Sequence, residues 1–277
     1  MIAGAVDFGG SKLKVGLVDE SGAVLARMTV ATPGEPAAAA DVAAAMLNEL
    51  RGDQELAGVG AAVRERGDEP LAGMLAKRTG LAVRTANRMS ACALAEQRFG
   101  AGRGVENLLW VGVCSGIRAG LITGGRLYEG GHGIAGSVGH IVVTEHGPTC
   151  GCGHKGCVES VASGPAIAKR ARGAGLEVAD AAEVFALARQ GNEIASWMVT
   201  EAGKYLGRAF AVCYNLFDPD MLVVGGSVAQ NLDLLLPYIE KVLHARAMWL
   251  PAAPPRIVQS RLGNAAALIG AGALVLP

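Results

Sequence analysis

Three of the six cysteines fall together in Cys150-Gly151-Cys152-Gly153-His154-Lys155-Gly156-Cys157. Thiolate and imidazole are the donors that zinc prefers. One His with three Cys makes a closed tetrahedral set, the structural type, with no open position for catalysis. The intervening glycines let the backbone curl tightly around an ion. A reducing cytosol disfavours disulfides, so the cluster reads as metal-binding. Spacing alone leaves the nitrogen ligand open among His140, His146 and His154.

A second group is rich in glycine. Asp7-Phe8-Gly9-Gly10-Ser11-Lys12 follows an apolar run. Glycines there let backbone N–H groups approach phosphate oxygens, Ser11 can donate a hydroxyl, and an Asp can orient hydrated magnesium. The same letters also make an ordinary Gly-Gly hairpin.

These groups need elements to position them. Residues 2–8, 13–18 and 23–30 read as a β-meander, and residues 36–50 as an Ala-rich helix. A strand at 56–63, a helix at 71–79, a strand at 82–85 and a helix at 89–99 follow. A second meander covers 107–113, 118–123 and 126–128, with Gly124-Gly125 as its hairpin turn. Residues 129–164 read as irregular, and helices dominate from 163 to 215. A strand at 221–224 ends at Gly225-Gly226. A helix at 232–245, a strand at 256–259 and a small-residue helix at 265–275 complete the pattern. Two meanders, each followed by strand–helix units, predict an α/β protein of two related lobes with a ligand cleft between them. The boundaries expected are 1–106, with the helix at 265–277 packing back on that lobe, and 107–264.

Composition sets the class. The chain has 277 residues, 51% hydrophobic, enough for two modest cores. Lys+Arg and Asp+Glu number 25 each, which argues against a nucleic-acid footprint or a membrane-surface patch. No apolar run reaches membrane-spanning length, and the N-terminus lacks signal-peptide features. The expectation is a soluble cytoplasmic protein.

The run Gly139-His140, Cys150-Gly151-Cys152, Gly156-Cys157-Val158-Glu159 and Ala162-Ser163-Gly164 closely resembles the signature of the ROK family. That family contains bacterial sugar kinases, sugar-responsive repressors and uncharacterised members. His146-Gly147-Pro148, Val161 to Gly164 and Val223-Val224-Gly225-Gly226-Ser227-Val228 look most like its N-acetylmannosamine kinases. The resemblance extends from Asp7 to the final helix. It implies the two-lobed actin-like ATPase, ribonuclease H-like sugar-kinase fold with an interlobe cleft, assembled as homodimers or homotetramers. It selects His140, Cys150, Cys152 and Cys157 as ligands of a structural zinc. It implies ATP and Mg2+ as cofactors of an active member. The nucleotide would be bound by Asp7, Gly9, Gly10, Ser11 and Lys12, by Ser115 and Gly116 of a second phosphate motif, and by Gly225 and Gly226 of an adenosine motif. Asn87, His140 and Glu159 would contact the sugar. With the first nucleotide motif beginning at Asp7, the repressors' N-terminal helix-turn-helix is not expected.

The chain also departs from this pattern. Transfer to a sugar hydroxyl needs a carboxylate to accept the proton. The family's base is the Asp of an Asn-Asp pair that opens a helix, and here the pair reads Asn87-Arg88. Arginine cannot accept a proton. Arg118 replaces a usual Gly in the second phosphate motif, and Ser137 replaces a sugar-contacting Glu. The stretch Arg64-Glu65-Arg66-Gly67-Asp68-Glu69-Pro70 is shorter than the family's sugar-facing loop, and Glu65, Asp68 and Glu69 are candidate substitute carboxylates. Two readings follow: an ATP-dependent kinase of a hexose or N-acetylhexosamine with an altered base, or a non-catalytic relative that binds sugar, nucleotide or a partner.

Overall fold

The computed structural model describes residues 1–64, 69–248 and 256–277. The chain forms two compact units. The first comprises Met1–Val105, Gly120–Ala135 and Arg261–Pro277; the second comprises Glu106–Ala119 and Gly136–Ser260. Glu65 and Asp68 lie outside the described residues.

The elements run β1 (Ile2–Phe8), β2 (Lys12–Asp19), β3 (Val24–Ala31), α1 (Pro36–Arg51), β4 (Val59–Val63), α2 (Glu69–Thr79), β5 (Val83–Asn87) and α3 (Arg88–Phe99). Next come β6 (Leu108–Val113), β7 (Ile117–Thr123), β8 (Arg126–Tyr128), α4 (Val158–Ala162), α5 (Gly164–Gly173), α6 (Ala181–Arg189) and α7 (Glu193–Phe217). The chain ends with β9 (Met221–Gly225), α8 (Leu232–Arg246), β10 (Arg256–Gln259) and α9 (Ala266–Ala273).

The first sheet has the order β3-β2-β1-β4-β5. β1 lies at its centre, antiparallel to β2 and parallel to β4. A central strand is covered on both faces, which is why β1 reads as an apolar run as far as Asp7. β3, at the edge, instead alternates half-buried and exposed residues. α9 is buried at all eight of its positions. It packs on β1, β2, β4 and α3, as a helix apolar on every side must. Small residues make that approach possible: a Cβ on Gly270 would lie 1.8 Å from the Ala91 carbonyl oxygen of α3.

The second sheet has the order β10-β9-β6-β7-β8. β9 runs parallel to both β6 and β10. β7 and β8 form a hairpin whose turn residues Gly124 and Gly125 have φ of 54° and 74°, the conformation that a two-residue turn demands. α7 and α8 pack against each other. The stretch 129–164, read as irregular, also holds a 3-10 turn at Val138–His140 and the short α4. Their Gly- and Cys-rich surroundings mask the helical period over so few residues.

Candidate functional site

In the first unit, the β1–β2 turn and the end of β5 carry the sequence-selected residues. The hairpin register sets Asp7 directly opposite Lys14. The Gly9 N–H closes the turn by donating to the Asp7 and Lys12 carbonyls at 3.0 and 3.1 Å. Gly10, Ser11 and Lys12 are exposed. Arg64 borders this turn, since a Cβ on Gly10 would lie 3.9 Å from its Nη1. β1, β4 and β5 run parallel, with Asp7 paired to Ala62 and Ala62 to Ala86. Their C-terminal ends therefore place Asp7 near Asn87 and Arg88. Such strand ends are where open α/β sheets bind ligands.

Asn87 caps α3. Its Oδ1 accepts from the backbone N–H groups of Met89 and Ser90, both at 2.9 Å. Arg88 follows as the first helical residue. Its guanidinium grips Asp7 with both prongs: Nε donates to Oδ1 at 2.8 Å and Nη2 to Oδ2 at 3.3 Å. Lys14 Nζ lies 3.5 Å from Oδ2. The Asp7 side chain is 1% exposed.

A hydrated magnesium ion needs a carboxylate that it or its waters can reach. Asp7 offers its oxygens to two cations and almost none of its surface to solvent, so this residue does not fit the role that the sequence suggested for it.

In the second unit, His140, Cys150, Cys152 and Cys157 place their ligand atoms within 4.8 Å of one another. Zinc bond lengths in a tetrahedron imply sulfur–sulfur separations of about 3.8 Å and sulfur–nitrogen separations of about 3.6 Å. Cys152 Sγ lies 3.6 Å from Cys157 Sγ, and Cys150 Sγ lies 3.7 Å from His140 Nδ1. The donor set and its spacing therefore fit a tetrahedral metal. His146 is exposed and outside the cluster. His154 Nδ1 lies 3.6 Å from Cys152 Sγ, yet His154 does not join the four-residue group. Burial pushes the Cys157 thiol up to about 12, while the His154 backbone N–H, followed by its ring, draws Cys152 down to about 6. A cation among these sulfurs would supply the charge that makes a buried thiolate at 157 stable.

Glu159 sits in the first turn of α4, directly after the last cysteine. Its Oε2 accepts from the Ile117 N–H at 2.8 Å, and its Oε1 lies 4.0 Å from Cys150 Sγ. Gly116 makes this possible, because a Cβ there would lie 2.7 Å from Oε2. The four-residue His/Cys cluster, Glu159 and the 115–117 loop thus form one connected group.

The same unit holds a cavity of about 390 Å³. Cys114 and Ser115 line one part of it and Ser227 and Val228 another, with Arg172 and Phe185 also on its wall. Gly226 turns the chain into this wall with φ of 95°, and a Cβ there would lie 2.3 Å from the Val113 carbonyl oxygen. Ser115 thus lines this cavity, and Gly226 directly precedes its wall residue Ser227. Asp7, Gly9, Gly10 and Asn87 belong to the other unit. Arg118 and Ser137 are exposed.

The sequence reading did not anticipate Lys14, Arg64 or the cavity residues Arg172 and Phe185. Lys14 had a usable signal: a tight turn pairs the residues flanking it, so a lysine opposite Asp7 follows from hairpin register. The Asp7–Arg88 pair depends on strand order, and the cavity wall depends on how α5 and α6 pack, neither of which local spacing reveals.

Among protein-family models, residues 61–277 match that of the ROK family. A glucokinase of Streptomyces coelicolor is 33% identical over 97% of this chain and 96% of its own. An N-acetylmannosamine kinase of Escherichia coli is 33% identical over 81% of this chain and 82% of its own. Among solved structures, a ROK family glucokinase from Streptomyces griseus, in complex with glucose and AMPPNP, superposes with a TM-score of 0.80. It is 31% identical, over 99% of both chains. These relatives give the fold its name, the actin-like ATPase fold of sugar kinases.

Proposed function

The chain belongs to the ROK family, and on that premise we propose that it is a sugar-kinase scaffold that binds a nucleotide and a hexose or N-acetylhexosamine but has lost base-assisted phosphoryl transfer. The observation that carries this reading is the two-pronged pairing of Arg88 with Asp7. A transferring enzyme needs an acceptor for the sugar hydroxyl's proton. The residue at the family's base position is a guanidinium, which has no acceptor and stays protonated. It also engages the one carboxylate of the first phosphate motif.

Binding is supported separately. The cavity at Ser115 and Ser227 has the size expected of a small-molecule pocket, and a relative of the same fold holds glucose and AMPPNP. Asn87, His140 and Glu159 are the residues proposed to contact the sugar. In this reading the four-residue cluster holds a structural zinc, with all four positions filled by protein. The metal's part is to fix His140 and the Cys157–Glu159 turn, and so the carboxylate of Glu159. Self-association is part of the proposal. Ile194 and Trp197 near one end of α7, and Val212 and Leu216 near the other, are exposed on one side of the helix, and a second copy would cover them. Light scattering is expected to give a dimer or tetramer, and a monomer at micromolar concentration contradicts this part.

A second reading, an active kinase with a different base, is favoured by the retained Asn87, His140 and Glu159 and by the glucokinase relative. A coupled assay with ATP, Mg2+ and a panel of hexoses and N-acetylhexosamines separates the two. The first reading expects thermal stabilisation by ligands without sugar phosphate; the second expects turnover.

A further inference from the structure

α7 buries one side of its length, with Val199, Leu206 and Phe210 in the core. Its outward stripe steps by three and four residues, through Ile194, Trp197, Glu201 and Tyr205. The same steps continue through Arg208, Val212 and Leu216. They average about 3.67 residues per turn, close enough to the helix's own period to keep the stripe nearly straight.

The order of residue types along this stripe matches itself when turned end for end. Both ends are apolar and exposed, Ile194 and Trp197 at one and Val212 and Leu216 at the other. Between them, Glu201 and Arg208 carry opposite charges on either side of Lys204 and Tyr205. A two-fold interface needs that kind of self-complementary surface. The polar side chains are also ordered in advance. Lys204 Nζ donates to Glu201 Oε1 at 2.8 Å. The Arg208 guanidinium donates to the Val143 carbonyl at 2.8 Å and lies 5.3 Å from the centre of the Tyr205 ring. Arg170 of α5 lies over Trp197 and Tyr205, at 5.9 and 5.4 Å. Groups already held lose less freedom when a partner arrives. Trp, Tyr and Arg are also the residues that dominate interface energetics.

We propose that two copies of this chain pair through α7, antiparallel about a two-fold axis beside Lys204 and Tyr205. In that register Glu201 of each copy faces Arg208 of the other, and Trp197 faces Val212. The inference rests on the reading that the protein self-associates, and adds the surface and the register. A parallel pairing would set Glu201 against Glu201 and Arg208 against Arg208, and like charges across an interface repel.

The test is light scattering on the full-length wild type, on E201R, on R208E, and on an equal mixture of the two variants. Within one chain these positions are two helical turns apart, about 10 Å along the axis, so they do not pair with each other. Either reversal sets like charges together in both halves of a homodimer. The mixture restores opposite charges in both halves. Each variant alone is expected to associate at least about tenfold more weakly than wild type, and the mixture to recover wild-type assembly. A folded single variant that assembles as tightly as wild type overturns the inference and leaves self-association standing. So does a mixture that assembles no better than its components. A monomeric wild type overturns both the inference and the reading it rests on. If circular dichroism shows that a reversal does not fold, V212D at the exposed end decides. Weakened assembly supports the pairing, and unchanged assembly overturns it.

Discussion

Position 88 governs the chemistry at the residue scale. Its guanidinium removes a proton acceptor and, at the same time, covers Asp7. A buried ion pair gives little net stability, but removing one partner leaves an uncompensated charge and is costly. Lys14, 3.5 Å away, softens that cost at Asp7. The substitution Arg88→Asp therefore creates the missing acceptor and leaves a lysine to balance the added charge. A positioned general base contributes about 10²–10⁴-fold to rate. R88D is accordingly expected to raise sugar phosphorylation at least about a hundredfold above the wild-type background, read in a coupled assay. A folded R88D protein with no gain would place the lesion elsewhere, with the exposed Arg118 the next position to test.

At the scale of the element, α3 and the metal turn do the positioning. Asn87 caps α3 through two backbone N–H groups and so fixes where Arg88 leaves the helix. Replacing a capping Asn with Ala costs ~1 kcal/mol. N87A is expected to show that loss in urea unfolding and N87D a much smaller one; equal losses would mean that the cap is not what Asn87 contributes. The proposed metal turn is organised differently, by four donor side chains distributed from His140 to Cys157. Chelation is expected to lower the melting temperature and release about one zinc per chain, because a structural site's binding energy is folding energy. An unchanged melting temperature with no metal released would remove the metal from the account. The sequence made these elements unequally legible. β4 is a continuous apolar run and β1 is one as far as Asp7, and the cysteine spacing is short and distinctive, so both are visible locally. His140 was not: three histidines fit the spacing. Family resemblance selected His140, and folding places its Nδ1 3.7 Å from Cys150 Sγ. The Asp7–Arg88 contact joins residues 81 positions apart through the order β1-β4-β5, and nothing in either local segment announces it.

On the scale of the whole molecule, the proposal is of a kinase fold that has kept its frame and lost one working part. The first unit retains its central strands, the glycine turn after β1 and the buried α9. The second retains its cavity, the His/Cys cluster and Glu159. Family likeness shows that frame across nearly the entire chain, but a fold hosts chemistry only where particular side chains permit it. The most direct test is one assay on the purified wild-type protein. It should be supplied with ATP, magnesium and, in turn, glucose and N-acetylmannosamine, with ligand binding followed in parallel by thermal shift. The account predicts stabilisation by ligands and no sugar phosphate above background. Turnover at about 1–100 s⁻¹, the range of working kinases, would contradict it and show that this site has found another base.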